Sequence, residues 1–363
     1  MKETDILKAL SHVQEPDLGK DLVTLDMIRN ISIDGNNVRF TLVLTTPACP
    51  LKEMLRKNCE DAIHNHVNKD AFVQIDFDAH TTSNRKDAMH LLAGVKNIIA
   101  VVSGKGGVGK STVAANLALA LAENGAAVGL MDADIYGPSV PIMFGVRGQR
   151  PMMREVNGKG MIVPLEKYGI QLMSIGLLID EKDAVVWRGP MASSAIKQFV
   201  TDVDWGQLDY LVIDMPPGTG DIHLTLLQTV PVTGVVIVTT PQTVALADAK
   251  KGIAMFSQAQ VNVPIIGLVE NMAYFTPAEL PNNKYYLFGK EGGKKLAEEY
   301  ELPFLGQIPI VQTIREGGDN GLPAMVSNDS ITQEAFRNIS NIAIRNIAIK
   351  NAKAVATADV LMK

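Results

Sequence analysis

An eight-residue segment in the first third of the chain has the composition of a phosphate-binding loop. It matches the pattern G-x-x-x-x-G-K-S/T and reads Gly104-Lys105-Gly106-Gly107-Val108-Gly109-Lys110-Ser111, followed by Thr112. Glycines let the backbone turn tightly with its N–H groups facing inward, which forms a nest for an anion. Lys110 adds a full positive charge for the outer phosphates, and the Ser111 hydroxyl is a suitable Mg²⁺ ligand. The segment therefore predicts a nucleotide site formed by residues 104–112.

Acidic residues that follow predicted strands are candidates for binding Mg²⁺ and for orienting the attacking water at this site. Asp214 ends the apolar run 211–213 and is a candidate ligand for Mg²⁺, and so is Asp132, which follows the run 128–131. Asp134 is a candidate for orienting the attacking water, because phosphoryl transfer depends on placement and charge more than on covalent help. A structural alternative stays open, since many strands of α/β proteins end in an Asp that caps a helix or a turn.

Two further segments come at the ends of predicted strands. Residues 215–221 form a loop rich in Pro and Gly, which we expect to move with the γ-phosphate of a bound nucleotide. Asn271 follows the run 265–269 closely and is placed to read the edge of a base. The alternative for Asn271 is an ordinary turn residue.

Short apolar runs surround the phosphate loop and alternate with helix-length segments. The runs are rich in β-branched residues and cover 98–102, 128–131, 211–213, 235–238 and 265–269. This alternation indicates a parallel sheet with helices on both faces. The predicted fold class of residues 97–363 is therefore α/β, a doubly wound, mostly parallel sheet of the P-loop NTPase type. Open sheets of this kind bind ligands at the carboxyl ends of their strands.

Residues 1–80 have a different pattern, which predicts a small α+β domain, and residues 81–96 are a predicted linker. Cys49 lies in a proline-flanked turn before a predicted helix at 51–67. At a helix N-terminus the dipole would lower the pKa of Cys49 and favour a reactive thiolate, but a structural role is equally open. Cys59 falls inside the helix and is expected to be a small buried hydrophobic residue.

Length, charge and cysteine content exclude several classes of protein. The chain has 363 residues, with 34 Lys+Arg against 39 Asp+Glu and a net charge of −5, which argues against a protein that coats nucleic acid. No apolar run approaches the ~18 residues of a membrane span, and the acidic start does not look like a secretory signal. The 2 cysteines are too few for a disulfide scaffold. We expect a cytoplasmic protein with no nucleic-acid partner and no stable membrane association.

The phosphate loop carries a second lysine, Lys105, and in this it resembles the deviant Walker A ATPases, which include MinD, ParA, the nitrogenase iron protein and the Mrp/ApbC proteins. Among these families, residues 97–345 are most similar to the Mrp/ApbC iron–sulfur cluster carriers. Besides the phosphate loop, two motifs carry this resemblance: Asp132-Ala133-Asp134-Ile135-Tyr136-Gly137-Pro138-Ser139 and Asp214-Met215-Pro216-Pro217-Gly218-Thr219-Gly220-Asp221. Residues 1–80, with Thr46-Pro47-Ala48-Cys49-Pro50, resemble the small iron–sulfur-assembly domain that often precedes these ATPases.

The resemblance implies ATP and Mg²⁺ as ligands and slow ATP hydrolysis that gates the transfer of iron–sulfur clusters to apoproteins. It also implies a nucleotide-bound homodimer, in which Lys105 of one subunit reaches the phosphates held by the other. Such a second cation would offset charge on the transferring phosphoryl group, as an arginine finger does.

One motif of the family is missing from the chain. Many of these carriers hold their cluster through a C-x-x-C pair that follows the position of Asn271, whereas residues 272–281 contain no cysteine. A cluster bridged by two thiolates from each subunit cannot form there, which leaves Cys49 as the candidate thiol. Two alternatives to a carrier stay open. One is a MinD/ParA-like positioning ATPase whose dimerisation drives association with a membrane or with DNA. Its last helix carries an Ile-rich stripe, which could be an interfacial anchor, together with Arg337, Arg345, Lys350 and Lys353. The other is an adaptor that carries no cluster.

Overall fold

The computed structural model describes residues 1–83, 92–156, 158–179, 189–258, 261, 263–277, 279–280 and 282–361. The chain divides into two compact units, Met1–Asn84 together with Ile344–Lys363, and Arg85–Ala343. Residues 84–91 of the predicted linker lie outside the described part of the chain. The sequence predicts that residues 344–363 belong to the ATPase domain, whereas the structure groups them with the first unit.

The first unit is built on a three-stranded sheet. Its elements are α1 (Glu3–Leu10), β1 (Gln14–Glu15), β2 (Lys20–Asp21), β3 (Ile28–Asp34), β4 (Asn37–Leu44), α2 (Lys52–His66) and β5 (Phe72–Ala79). The sheet order is β3-β4-β5, with β3 antiparallel and β5 parallel to β4. Apolar side chains of both helices and of β4, including Leu10, Phe40 and Leu55, are fully buried in one core. A small α+β unit is thus present, as the sequence predicts.

The second unit alternates strands and helices. Its elements are β6 (Val95–Val102), α3 (Lys110–Glu123), β7 (Val128–Asp132), α4 (Val140–Met143), β8 (Met152–Val156), β9 (Lys159–Val163), β10 (Leu165–Lys167), β11 (Ile170–Ser174), α5 (Gly189–Thr201), β12 (Leu208–Asp214), α6 (Asp221–Thr229), β13 (Gly234–Thr239), α7 (Thr243–Phe256), β14 (Ile265–Glu270), α8 (Gly292–Glu299), β15 (Phe304–Gln307), α9 (Gln312–Asp319) and α10 (Ser330–Leu361). The last helix continues beyond Ala343 into the first unit.

Eight strands of the second unit form one sheet, in the order β10-β11-β7-β12-β6-β13-β14-β15. All neighbours pair in parallel except β10, which is antiparallel to β11. The central strands are buried along nearly their whole length, because helices cover both faces. The predicted doubly wound, mostly parallel fold is confirmed. Since the strands run the same way, the carboxyl ends of β6, β7, β12 and β14 share one edge of the sheet.

The apolar stripe of α10 is used for packing. Phe336, Ile339 and Ile347 are at most 1% exposed. Arg337 forms an ion pair with Glu123 in the second unit, with an Nε–Oε2 distance of 2.7 Å. Among the described residues, no helix is both long enough and apolar enough to cross a bilayer. The buried stripe argues against α10 as an interfacial membrane anchor.

Candidate functional site

The phosphate loop connects the end of β6 to the start of α3. Gly107 and Gly109 have φ values of +83° and +81°, the left-handed conformation that favours glycine. Gly109 is the N-cap of α3, and because it has no side chain it leaves the first amides of the helix uncapped. The Ser103 hydroxyl donates to the Lys105 carbonyl at 2.9 Å and closes the loop on its other side. Uncapped amides at a helix N-terminus are available to a phosphate group.

The predicted role of Gly109 can be tested by adding a single methyl group. A Cβ at this position would lie 2.1 Å from Nδ2 of Asn271 and would also adopt an unfavourable φ. We expect Gly109→Ala to weaken ATP binding at least about tenfold, because the N–H groups of the loop would no longer point toward the phosphates. Gly252→Ala in α7 is the control, since a Cβ there meets nothing within 4 Å. Fluorescence titration with a labelled nucleotide measures both variants, and equal affinities would contradict the role.

Lys110 lies between two buried carboxylates. Its Nζ is 2.5 Å from Oδ1 of Asp214 and 3.6 Å from Oδ2 of Asp134, and it donates to Ser111 Oγ at 3.2 Å. The Lys110 and Asp214 side chains are 6% and 0% exposed. Burial raises the pKa of Asp214, and the Lys110 ammonium opposes that rise. The structure therefore brings Lys110, Ser111, Asp134 and Asp214 together, as the sequence predicts.

Asp214 retains one buried oxygen without a partner. Its Oδ2 makes no hydrogen bond within the part of the chain that the structure describes. A buried carboxylate oxygen without a donor is costly, so its position is explained best by a role in binding a ligand. Carboxylate and hydroxyl oxygens are preferred Mg²⁺ ligands, and Ser111 lies beside Asp214. The arrangement fits a magnesium ion.

Asp132 has a different environment from the one expected of a metal ligand. Its Oδ1 accepts from the Asp134 amide at 3.1 Å, and its Oδ2 accepts from the Val140 amide at 3.3 Å and the Ser174 hydroxyl at 2.9 Å. Burial and the nearby Asp214 carboxylate raise the pKa of Asp132. Both of its oxygens are thus engaged in holding the segment that follows β7. This favours a positioning role for Asp132 over the predicted Mg²⁺ ligation.

Asn271 contacts the phosphate loop directly. Its Nδ2 donates to the Val108 carbonyl at 2.8 Å, and its own amide donates to the Thr239 carbonyl at 2.8 Å. The side-chain amide therefore ties the end of β14 to the loop, an interaction between residues 163 positions apart. Reading of a base edge by Asn271 stays a prediction.

A cleft of about 650 Å³ opens beside the loop and includes Gly109, Thr112 and Asn271 in its wall. The apolar part of the wall consists of Ile142, Met143, Met272, Leu287, Phe288, Pro309, Ile310, Val311 and Ile314. Apolar walls with a few polar groups are typical of small-ligand pockets of this size. The cleft can accept a purine base next to the phosphate site. Motif matching missed these apolar residues, because they come from four separate segments.

The Lys105 side chain has no partner among the residues that the structure describes. The residue is half-buried, and no hydrogen bond or ion pair to its ammonium group occurs among the described residues. Its carbonyl, in contrast, is held by Ser103. The ammonium group is therefore available to a ligand or to another molecule.

The expectation that the pKa of Cys49 is lowered is wrong. The thiol is half-buried, and α2 begins at Lys52, beyond the turn that contains Cys49. Burial raises the pKa of Cys49, the carboxylates of Glu15 and Asp17 raise it further, and the amide of Leu51 and the guanidinium of Arg345 oppose the rise. Cys59 is fully buried, and burial raises its pKa to about 12. Of the two cysteines, Cys49 is the accessible one.

The fold and the site define a P-loop NTPase. The chain belongs to the family of NUBPL iron-transfer P-loop NTPases, whose model matches residues 94–344. Residues 3–75 match the model of the iron–sulfur cluster assembly proteins. These matches confirm the resemblance to the Mrp/ApbC carriers that the motifs indicate.

Similar proteins cover about two thirds of the chain or more, and two curated relatives span nearly all of it. The iron–sulfur cluster carrier protein of Synechocystis is 51% identical over 90% of this chain and 92% of its own length. The chloroplastic Fe-S cluster assembly factor HCF101 of Arabidopsis thaliana is 41% identical over 98% of this chain and 66% of its own. A solved structure of a nucleotide-binding protein from Archaeoglobus fulgidus, in complex with ADP, is 38% identical, covers 66% of this chain and 91% of its own, and has a TM-score of 0.57.

Proposed function

We propose that this protein binds and hydrolyses ATP and uses that cycle to carry iron–sulfur clusters, or to assist their assembly, for delivery to apoproteins. The nucleotide part rests on one observation, the buried contact of 2.5 Å between Lys110 and Asp214 at the phosphate loop. The iron–sulfur part is supported by the family matches, which cover residues 3–75 and 94–344. We place its action in the cytoplasm, in line with the composition of the chain.

In this proposal the residues of the site bind different parts of ATP and its Mg²⁺ ion. Ser111 and Asp214 hold Mg²⁺, which, when bound, neutralises charge on the β- and γ-phosphates. The loop amides of Gly107 and Gly109 face the phosphates, and Lys110 exchanges its contact with Asp214 for one with the phosphate oxygens. The cleft beside Thr112 accepts the base.

Asp134 is proposed to orient the water that attacks the γ-phosphorus. Its side chain is 13% exposed and its Oδ2 lies 3.6 Å from Lys110 Nζ, so the carboxylate faces the phosphate loop. A carboxylate there accepts a hydrogen bond from water and turns the oxygen toward phosphorus. Asp132 supports this placement because it holds the Asp134 amide at 3.1 Å.

Lys105 is proposed to act on the nucleotide of a second subunit in a homodimer. Its ammonium group has no partner among the described residues of its own chain, which leaves it available for that contact. A cation supplied in trans makes hydrolysis conditional on dimerisation. ATP hydrolysis would then separate the subunits and time the release of the cluster.

Cys49 is the thiol that the cluster is expected to contact. A cluster ligand is a thiolate, and a raised pKa means that binding must displace a proton from Cys49. We therefore expect anaerobically reconstituted protein to retain iron and sulfide, and to retain more of both at about pH 8.5 than at about pH 6.5.

The matched test compares the two cysteines. Cys49→Ala should lose the retained iron, whereas Cys59→Ala, which removes a fully buried thiol, should keep it. Iron and sulfide analysis after desalting gives the readout. If the unmodified chain hydrolyses ATP but retains no iron at either pH, direct carriage is wrong and the adaptor function replaces it.

A further inference from the structure

A buried histidine lies at the start of α6, next to the phosphate site. His223 is 2% exposed, and its Nε2 is 2.9 Å from the Pro216 carbonyl oxygen. Because a carbonyl oxygen only accepts, Nε2 must carry the hydrogen of this bond. The other ring nitrogen, Nδ1, is buried and has no hydrogen-bond partner within the described part of the chain.

The Pro216 carbonyl belongs to the loop that joins β12 to α6. The loop follows Asp214 directly, and two of its residues, Pro216 and Pro217, have no N–H with which to anchor it. Backbone bonds hold it at two points: the Met215 amide donates to Val101 at 3.1 Å, and the Gly218 amide donates to Ser103 at 2.9 Å. The His223 ring adds a side-chain anchor between these points. This loop is therefore tied both to the phosphate loop and to α6.

Packing alone does not explain a histidine at this position. A buried nitrogen without a partner lowers stability, and an apolar side chain of similar size would avoid that loss. Burial also lowers the pKa of His223, which favours the neutral ring with one hydrogen. That hydrogen is directed at Pro216. What the imidazole supplies, and a leucine would not, is the bond to the loop.

We propose that His223 is a positioning residue for ATP hydrolysis, which fixes the Pro216 carbonyl and so holds residues 215–220 where the γ-phosphate of ATP meets them. The inference rests on the proposed ATPase function. In this inference residues 215–220 contact the γ-phosphate, which ATP has and ADP lacks. Loss of the His223 bond should therefore impair ATP hydrolysis without a change in ADP affinity.

The test compares two substitutions at His223 with one elsewhere. His223→Leu removes the donor, and His223→Gln keeps a donor on a side chain of similar reach. His64→Leu is the control, because His64 Nε2 makes the same kind of bond, 3.0 Å long, to the Ala71 carbonyl in the first unit. The measurements are kcat and KM for ATP, the affinity for ADP, and the melting temperature.

We expect His223→Leu to lower kcat by about 10- to 100-fold while ADP affinity stays within about twofold. The glutamine variant should recover most of kcat, and His64→Leu should keep all of it. Should the leucine variant fail to fold, His223→Met replaces it in the same comparison. Unchanged kcat in the apolar variant, equal losses of ATP and ADP affinity, or no recovery with glutamine would each overturn the inference. If the unmodified chain does not hydrolyse ATP, the proposed function falls as well.

Discussion

Lys110→Ala should lower ATP turnover at least about 100-fold, because it removes the cation that stabilises charge on the transferring phosphoryl group. The side chain is 6% exposed and lies among Ser111, Asp134 and Asp214. Phosphate release at saturating ATP measures the loss. Turnover equal to that of the unmodified chain would contradict the assignment of the phosphate loop.

The same substitution should also destabilise the fold. It leaves the Asp214 carboxylate, which is 0% exposed, without its ion-pair partner. Loss of one member of a buried pair costs about 3–5 kcal/mol, because the remaining charge is uncompensated. Urea denaturation measures this difference.

A double substitution separates stability from activity. Lys110→Met with Asp214→Asn removes both charges and should recover most of the lost stability. It should not recover turnover, because both the cation and the carboxylate are missing. Recovery of turnover in the double variant would show that Lys110→Ala acts only through the fold.

The sequence predicts the phosphate loop and the parallel strands well, because both depend on residues that are close together in the chain. Glycines at positions that need positive φ, followed at once by a helix, define the phosphate loop through local sterics. The β-branched runs that alternate with helical segments predict the buried parallel strands. Asp134 and Asp214 come together for the same reason, since parallel strands end at one edge of the sheet.

Contacts between distant segments could not be predicted. The Ser174 hydroxyl that donates to Asp132 comes from β11, and a serine at the end of a strand does not by itself predict that partner. The bond from the Asn271 side chain to the Val108 carbonyl joins residues far apart in the chain, and no motif predicts it. The raised pKa of Cys49 is not predictable from the turn, because burial of the thiol raises it most and the carboxylates of Glu15 and Asp17, from another segment, raise it further. The charge around a residue is a property of the folded chain.

Lys105→Ala should also stop ATP turnover, but without destabilising the chain. A cation in trans contributes about 10³-fold or more to phosphoryl transfer, so its loss should be nearly complete. Because the ammonium group has no partner among the described residues, the free energy of unfolding should change by less than about 0.5 kcal/mol. ADP affinity should stay the same as well. Lys105→Ala thus contrasts with Lys110→Ala in stability and agrees with it in turnover.

Mixing the two inactive variants tests whether Lys105 acts across the dimer. A Lys105→Ala subunit keeps a complete pocket, and a Lys110→Ala subunit keeps the lysine that this pocket needs. With random pairing about half of the dimers are mixed and each has one complete site, so turnover should return to about one quarter of normal. The control replaces the second partner with the Lys105→Ala/Lys110→Ala double variant, which has no lysine to supply and should restore nothing. If the first mixture is also inactive while both variants still dimerise, Lys105 acts within its own subunit, and hydrolysis is not conditional on pairing.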